Sequence, residues 1–247
     1  LGAPFILPVV VAVMGILAIF GRGGLFNDGV AALGYGRISI YGLGGVVLAH
    51  VFFNLPLAVR LLLQGWLAIP AERFRLAAAL GFGPAEVARH LERPMLKALA
   101  PGIFATVFLL CLTSFATALI LGGGPRATTV ELAIYQAFRF DFDLARAAAL
   151  ASLQLALCPV TALAAARFAV PAAFGTGLDR PFARWDAQGS ARRWLDAGLI
   201  GIPALFLLAP LAAVVLSGMP GLVSLPAPVW KAAGRSALVA ATSTGLT

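Results

Sequence analysis

Few side chains in this sequence could carry covalent or metal chemistry, and their spacing works against it. His50 and His90 are the only histidines and lie far apart. Cys111 and Cys158 both sit in apolar runs, with no CxxC partner and no histidine at metal-ligand spacing. They read as small buried hydrophobes, and no metal site or cofactor is expected. Gly122-Gly123-Gly124 precedes Arg126, a pattern that could cradle a phosphate. No Lys-Ser or Lys-Thr pair follows, so this is a helix-breaking turn rather than a nucleotide loop. No nucleophile–base pair stands out, which argues against a membrane enzyme. No Asp or Glu falls deep in an apolar run, which argues against an ion-coupled carrier. What remains is a set of neutral polar residues inside apolar runs: Asn54, Thr113, Ser114, Thr117, Ser152 and Gln154. Such groups either bond helix to helix or face a solute pathway. Asn54, Ser114, Thr117 and Gln154 are the pathway candidates. Pro56, two residues after Asn54, frees a backbone carbonyl and allows a kink.

The elements that must position these groups are membrane helices. The chain has 247 residues, 61% hydrophobic and 11% charged, with a mean hydropathy of +0.96. A soluble domain is about 45–50% apolar and about 25% charged, so too few polar residues exist here to cover a water-facing surface. The expected fold class is an all-α polytopic transmembrane bundle. Apolar spans are expected at roughly 4–20, 41–63, 98–121, 145–168 and 196–218, with a sixth beginning near Lys231. The sixth is cut short, and the first residue is not methionine, so the sequence reads as a piece of a longer protein. Residues 21–40 read as a Gly-rich loop carrying Arg22, Asp28 and Arg37, and residues 169–195 as an Arg-, Gly- and Pro-rich linker.

Charge assigns the sides. The net charge is +8, but the basic residues lie in short connections between spans, so topology explains them better than nucleic acid does. Arg60, Arg73, Arg75, Arg89, Arg93 and Lys97 surround the connection after the second span. Arg167, Arg180, Arg184, Arg192 and Arg193 lie in or beside the linker. If the spans alternate, these eleven share one face, and seven basic residues take the other together with Glu131, Asp141 and Asp143. The positive-inside rule places the larger group in the cytoplasm. Trp66, Trp185, Trp194 and Trp230 fall near span ends, where the indole suits the lipid headgroup level.

The connection at residues 69–96 has a pattern of its own. Pro70 suits a helix first turn, and Ala71 to Leu80 are mostly strong helix formers. Ala77, Ala78 and Ala79 make a thin helix that can lie close to another surface. Gly81 can take the left-handed conformation that ends a helix. Pro84 restarts the chain at a second first turn, and Pro94 is expected to stop that second helix before the next span. The result is a helix–turn–helix outside the bilayer, suited to act as a lever. In the outer connection at residues 122–144, Thr128 and Glu131 are expected to form a capping box. Asp143 is expected to cap the fourth span. A short amphipathic helix there, carrying Thr128, Glu131 and Tyr135, would serve as an external gate.

Ala77-Ala78, Gly81 and Pro94 resemble the EAA loop of ABC importer permeases, in which a small-residue helix, a glycine turn and a second helix dock into an ATPase. The resemblance implies that Glu72, Arg75, Ala77, Ala78, Gly81, Pro84 and Pro94 form the docking element. Arg75 stands where that family carries a glutamate, and Glu72, one turn earlier, could take its place. Other segments are similar to the thiamine/thiamine pyrophosphate ABC transporter permeases. These are residues 7–17, Tyr41-Gly42-Leu43, residues 48–56, and 121–137 continuing through Asp141, Asp143 and 145–148. The similarity covers roughly residues 3–155, and those permeases also tend to lack the leading glutamate. It implies a fused permease of two six-span halves in a bacterial inner membrane. On that reading, residues 1–168 are the later part of the first half, with the docking loop at about 64–97. Residues 169–195 are the cytoplasmic linker, and 196–247 open the second half. The implied partners are a cytoplasmic ATPase dimer, a periplasmic solute-binding protein and membrane lipid. A ferric-iron permease has the same architecture and is the sibling reading.

Overall fold

A computed structural model describes residues 7–122, 124, 127–168, 190–222 and 224–246. The described residues are helices joined by short turns. In chain order these are α1 (Val9–Phe20), α2 (Leu25–Ala32), α3 (Leu43–Leu67), α4 (Ala71–Ala79) and α5 (Pro84–Val87). After a wide turn at Ala88–Glu92 come α6 (Arg93–Leu112), α7 (Phe115–Leu121), α8 (Val130–Arg139), α9 (Leu144–Phe168), α10 (Ser190–Leu222) and α11 (Ala227–Leu246). Five stretches are long and apolar enough to cross a bilayer: Val9–Ala32, Leu43–Leu67, Pro84–Leu112, Leu144–Arg167 and Arg193–Leu222. The expected all-α, multi-span architecture is therefore present.

Two separate apolar cores hold the described part together. The first joins α1, α3 and α7 through Val13, Ile16, Val46, Phe52 and Leu121, with Phe206 and Leu207 of α10 packed against it. Phe206 sets its ring 5.8 Å from that of Phe52, edge to face, the arrangement aromatic quadrupoles favour. The second core joins the connection after α3 to the start of α6. It contains Ile69, Phe74, Ala77, Val87, Leu91 and Met95, with Trp66, Phe82 and Leu99 beside them. Trp66 thus supports this second core, while Trp194 and Trp230 are largely exposed. Trp185, the residues from 169 to 189, and Arg126 lie outside the described residues.

Four expectations change. Residues 21–40 are not simply a loop, because Asn27 of α2 is completely buried and ties the segment down. Its amide donates to the carbonyls of Gly21 at 2.7 Å and Ile38 at 2.8 Å, and its Oδ1 accepts from the Ile38 N–H at 2.7 Å. Arg37 and Asp28 pair outside it at 3.1 Å. Second, Pro94 does not stop a helix. The chain passes from Pro84 to Leu112 through a π-helical turn, in which the Arg93 N–H donates to the carbonyl of Ala88. A proline lacks an N–H and its ring crowds the carbonyl of residue i−4. Widening the turn just before Pro94 makes room for the ring. Third, the expected third span is two helices, broken at Thr113 and Ser114, where Ser114 is extended (φ −85°, ψ 101°). Fourth, the cap of α8 is Thr129, whose side chain accepts from the Leu132 N–H at 3.3 Å. The cap is thus one residue later than a Thr128–Glu131 box requires. Asp143 does cap α9, accepting from the Arg146 N–H at 2.9 Å.

Candidate functional site

The helix–turn–helix expected to dock is built around its glycine. Gly81 has φ +70°, and two reversed hydrogen bonds close α4 behind it. The Gly81 N–H donates to the Ala78 carbonyl at 3.0 Å, and the Phe82 N–H to the Ala77 carbonyl at 2.9 Å. This is the Schellman arrangement, which needs a left-handed residue at that place. Phe82 then packs against the core that contains Ala77 and Phe74, and its ring lies 5.4 Å from that of His90. Ala77 is buried, while Ala78 and Ala79 face outward with Leu76 and Leu80, leaving an apolar, low-relief outer surface. Glu72 and Arg75 are both half-buried on α4, and Pro84 opens α5. Of the docking candidates, Glu72 to Pro84 thus form one compact unit. Pro94 lies in the first turn of α6, behind it.

This unit is fastened to two spans at once. Gly65, near the end of α3, lies so close to α6 that a Cβ there would stand 1.9 Å from Leu99 Cδ1 and 3.3 Å from Met95 Sδ. A side chain at that place would have to push the end of Leu99 aside. A rigid body seated on both helices moves both.

The same two helices reach the polar candidates, near the middle of α3 and just past the far end of α6. A cavity of about 320 Å³ opens among His50, Phe53 and Asn54 of α3, Leu110 of α6, and the break at Thr113 and Ser114 followed by Phe115 to Thr117. His50 Nε2 lies 3.1 Å from Thr117 Oγ1, and the Ser114 and Thr117 hydroxyls share a hydrogen bond. Asn54 donates to the His50 carbonyl at 2.9 Å and to Cys111 Sγ at 3.4 Å. At 1.5 Å per residue, His50 and Asn54 lie about 10 and 16 Å along α3 from Leu43, close to the middle of a hydrocarbon layer about 30 Å thick. Irregular backbone at that depth is tolerated where it lines a cavity or is buried in protein. At the break Thr113 turns its hydroxyl to the Leu109 carbonyl at 3.0 Å, and the Ser114 hydroxyl meets that of Thr117.

Asn54, Ser114 and Thr117 therefore come together, and His50 joins them. From the sequence, His50 figures only as half of a failed metal pair. The signal that could have found it is its spacing to Asn54, one helical turn away on the same face. Gln154 goes elsewhere. It is 9% exposed and its amide donates to the Glu131 carboxylate, so it ties α9 to α8. Of the gate candidates, Tyr135 sets its ring 4.9 Å from Phe115, at the cavity's edge. Thr128 sits one residue ahead of the α8 cap. The α8 helix thus touches both the cavity wall and α9.

The described helices include five long and apolar enough to cross a bilayer, with a compact helix–turn–helix packed against two of them. The chain is 45% identical over 240 residues to the thiamine transport system permease protein ThiP of Escherichia coli K12, covering 95% of this chain and 44% of that protein. It is 43% identical over 217 residues to the protein of the same name from Brucella abortus, covering 87% and 40%. With that of Haemophilus influenzae it shares 34% identity over 241 residues, covering 96% and 44%. Along most of its length the chain is a homologue of the thiamine transport permeases, and it spans about two fifths of their length. No family model and no solved structure matches it.

Proposed function

We propose that this chain forms part of the membrane-spanning subunit of an ATP-driven importer in a bacterial inner membrane. Its cargo is thiamine or its phosphate esters. A periplasmic binding protein delivers the cargo, and a cytoplasmic ATPase dimer hydrolyses the ATP. The chain itself catalyses no covalent step. The observation that carries this reading is that α3 and α6 join the docking unit at one end to the neutral polar cavity at the other. Met95 and Leu110 of α6 are about 22 Å apart along the axis at 1.5 Å per residue. A tilt imposed on the docking unit by closing ATPase subunits is thereby transmitted to the walls of the cavity. Glu72, Arg75, Ala77, Ala78, Gly81 and Pro84 supply the ATPase contact. Asn54, Ser114, Thr117 and His50 line the passage, and the α8 helix with Glu131 and Tyr135 shields its outer end. Residues 1–168 then belong to one permease half and 196–247 to the start of another.

The test is uptake by the full-length protein, reconstituted with its ATPase and binding protein in proteoliposomes. ATP-dependent accumulation of labelled thiamine is expected. Uptake of ferric iron instead would keep the mechanism and change the cargo. Uptake that persists without ATP would overturn the coupling.

A further inference from the structure

One face of α6 is unlike the rest of the molecule. Arg89, Arg93 and Lys97, each exposed, line a cleft of about 400 Å³ together with Pro94. They recur at every fourth position, Arg89 in the wide turn and the other two in α6, and line the cleft together. Among the described residues, no acidic side chain lines this cleft. Of the nearby carboxylates, Glu86 lays an oxygen against Gly83, and Glu92 is half-buried and engaged with a partner of its own. The same face continues toward the membrane interior as apolar surface. Phe104 is 69% exposed and Phe108 39%, and their rings stack at 6.1 Å. Counting 100° per residue from Arg93, the positions of Lys97, Phe104 and Phe108 fall within an arc of about 60°.

A ligand that fits this strip is anionic at one end and long and apolar at the other. We propose that Arg89, Arg93 and Lys97 hold the headgroup of an anionic phospholipid of the cytoplasmic leaflet, with an acyl chain lying along Phe104 and Phe108. The side of the membrane follows from the excess of basic residues around this connection, and that leaflet is the one in which basic clusters meet anionic lipid. A free phosphate ion would satisfy the cations and leave the aromatic ridge uncovered. A second protein segment would need carboxylates at the cleft and apolar side chains beyond it. The site sits directly behind the docking unit, so a bound lipid would brace the base of the lever.

The full-length protein in nanodiscs of mixed phosphatidylglycerol and phosphatidylcholine tests this by native mass spectrometry of co-retained lipid. Wild type is expected to enrich phosphatidylglycerol at least tenfold over the variant Arg89→Gln/Arg93→Gln/Lys97→Gln. Equal retention would overturn the proposal. So would displacement of the lipid by millimolar inorganic phosphate, which would mark a free-anion site. Should the triple variant fail to fold, a photoreactive phenylalanine analogue at Phe104 decides in an otherwise native chain. An adduct carrying phosphatidylglycerol supports the site. An adduct to phosphatidylcholine in proportion to its abundance, to another segment of the permease, or to the ATPase refutes it.

Discussion

Two single residues set the terms of the mechanism. Gly81 has open space around it: a Cβ placed there would meet nothing within 4 Å, so its constraint is the positive φ alone. Gly81→Asn is therefore expected to keep most uptake, because Asn tolerates the left-handed region. Gly81→Trp should abolish uptake while the protein still reaches the membrane. Full uptake with tryptophan there would remove the docking role from this loop. Thr117 is the second residue, because its hydroxyl meets both His50 and Ser114. Thr117→Val preserves the shape and strands both partners. A fall in uptake of roughly tenfold or less is expected, because both bonds are only part-buried. ATPase co-purification should stay unchanged. An unaltered uptake KM and rate would make the cluster merely structural.

At the scale of elements, the segment Gly21 to Ile40 is held by Asn27. Asn27→Leu removes the side-chain bonds to Gly21 and Ile38 and strands the Ile38 N–H. A loss of about 3 kcal/mol is expected, read as a lower melting temperature of the detergent-solubilised full-length protein. The α8 helix is tied to α9 by Glu131 and Gln154. A double-mutant cycle with Glu131→Ala and Gln154→Ala should give clear non-additivity, since the two are in contact. Additive effects would mean that the outer helix is not anchored there. These elements also show what is legible in the sequence. The turn at Gly81 is readable because glycine and the following Pro84 punctuate a helix in only a few ways. The spans are readable from apolar runs of the right length. The break at Thr113 and Ser114 is not, because no glycine or proline marks it. Asn27 is lost among glycines, because its worth lies in the distant carbonyl of Ile38. The α8 cap shifts by one because Thr128 and Thr129 are equally good caps by type. Only the fold decides between them.

Across the whole molecule, the proposed coupling of the helix–turn–helix to the cavity requires that α3 and α6 stay seated on each other at Gly65. Gly65→Val pushes a side chain into Leu99. It is expected to leave ATPase binding intact and cut thiamine uptake by more than tenfold per ATP hydrolysed. Coupled transport at the normal ratio would show that the two spans move independently. The wide turn before Pro94 bears on the same point. Five residues there, Ala88 to Glu92, take a π-helical path. One residue more or fewer in a helix rotates everything beyond it by about 100° and shifts it by about 1.5 Å. That turn is thus the phase setting of the molecule. It fixes which way Thr113 and Ser114 point for a given pose of the docking loop. A single-residue deletion within it would leave α6 itself intact and aim the cavity wall at the lipid.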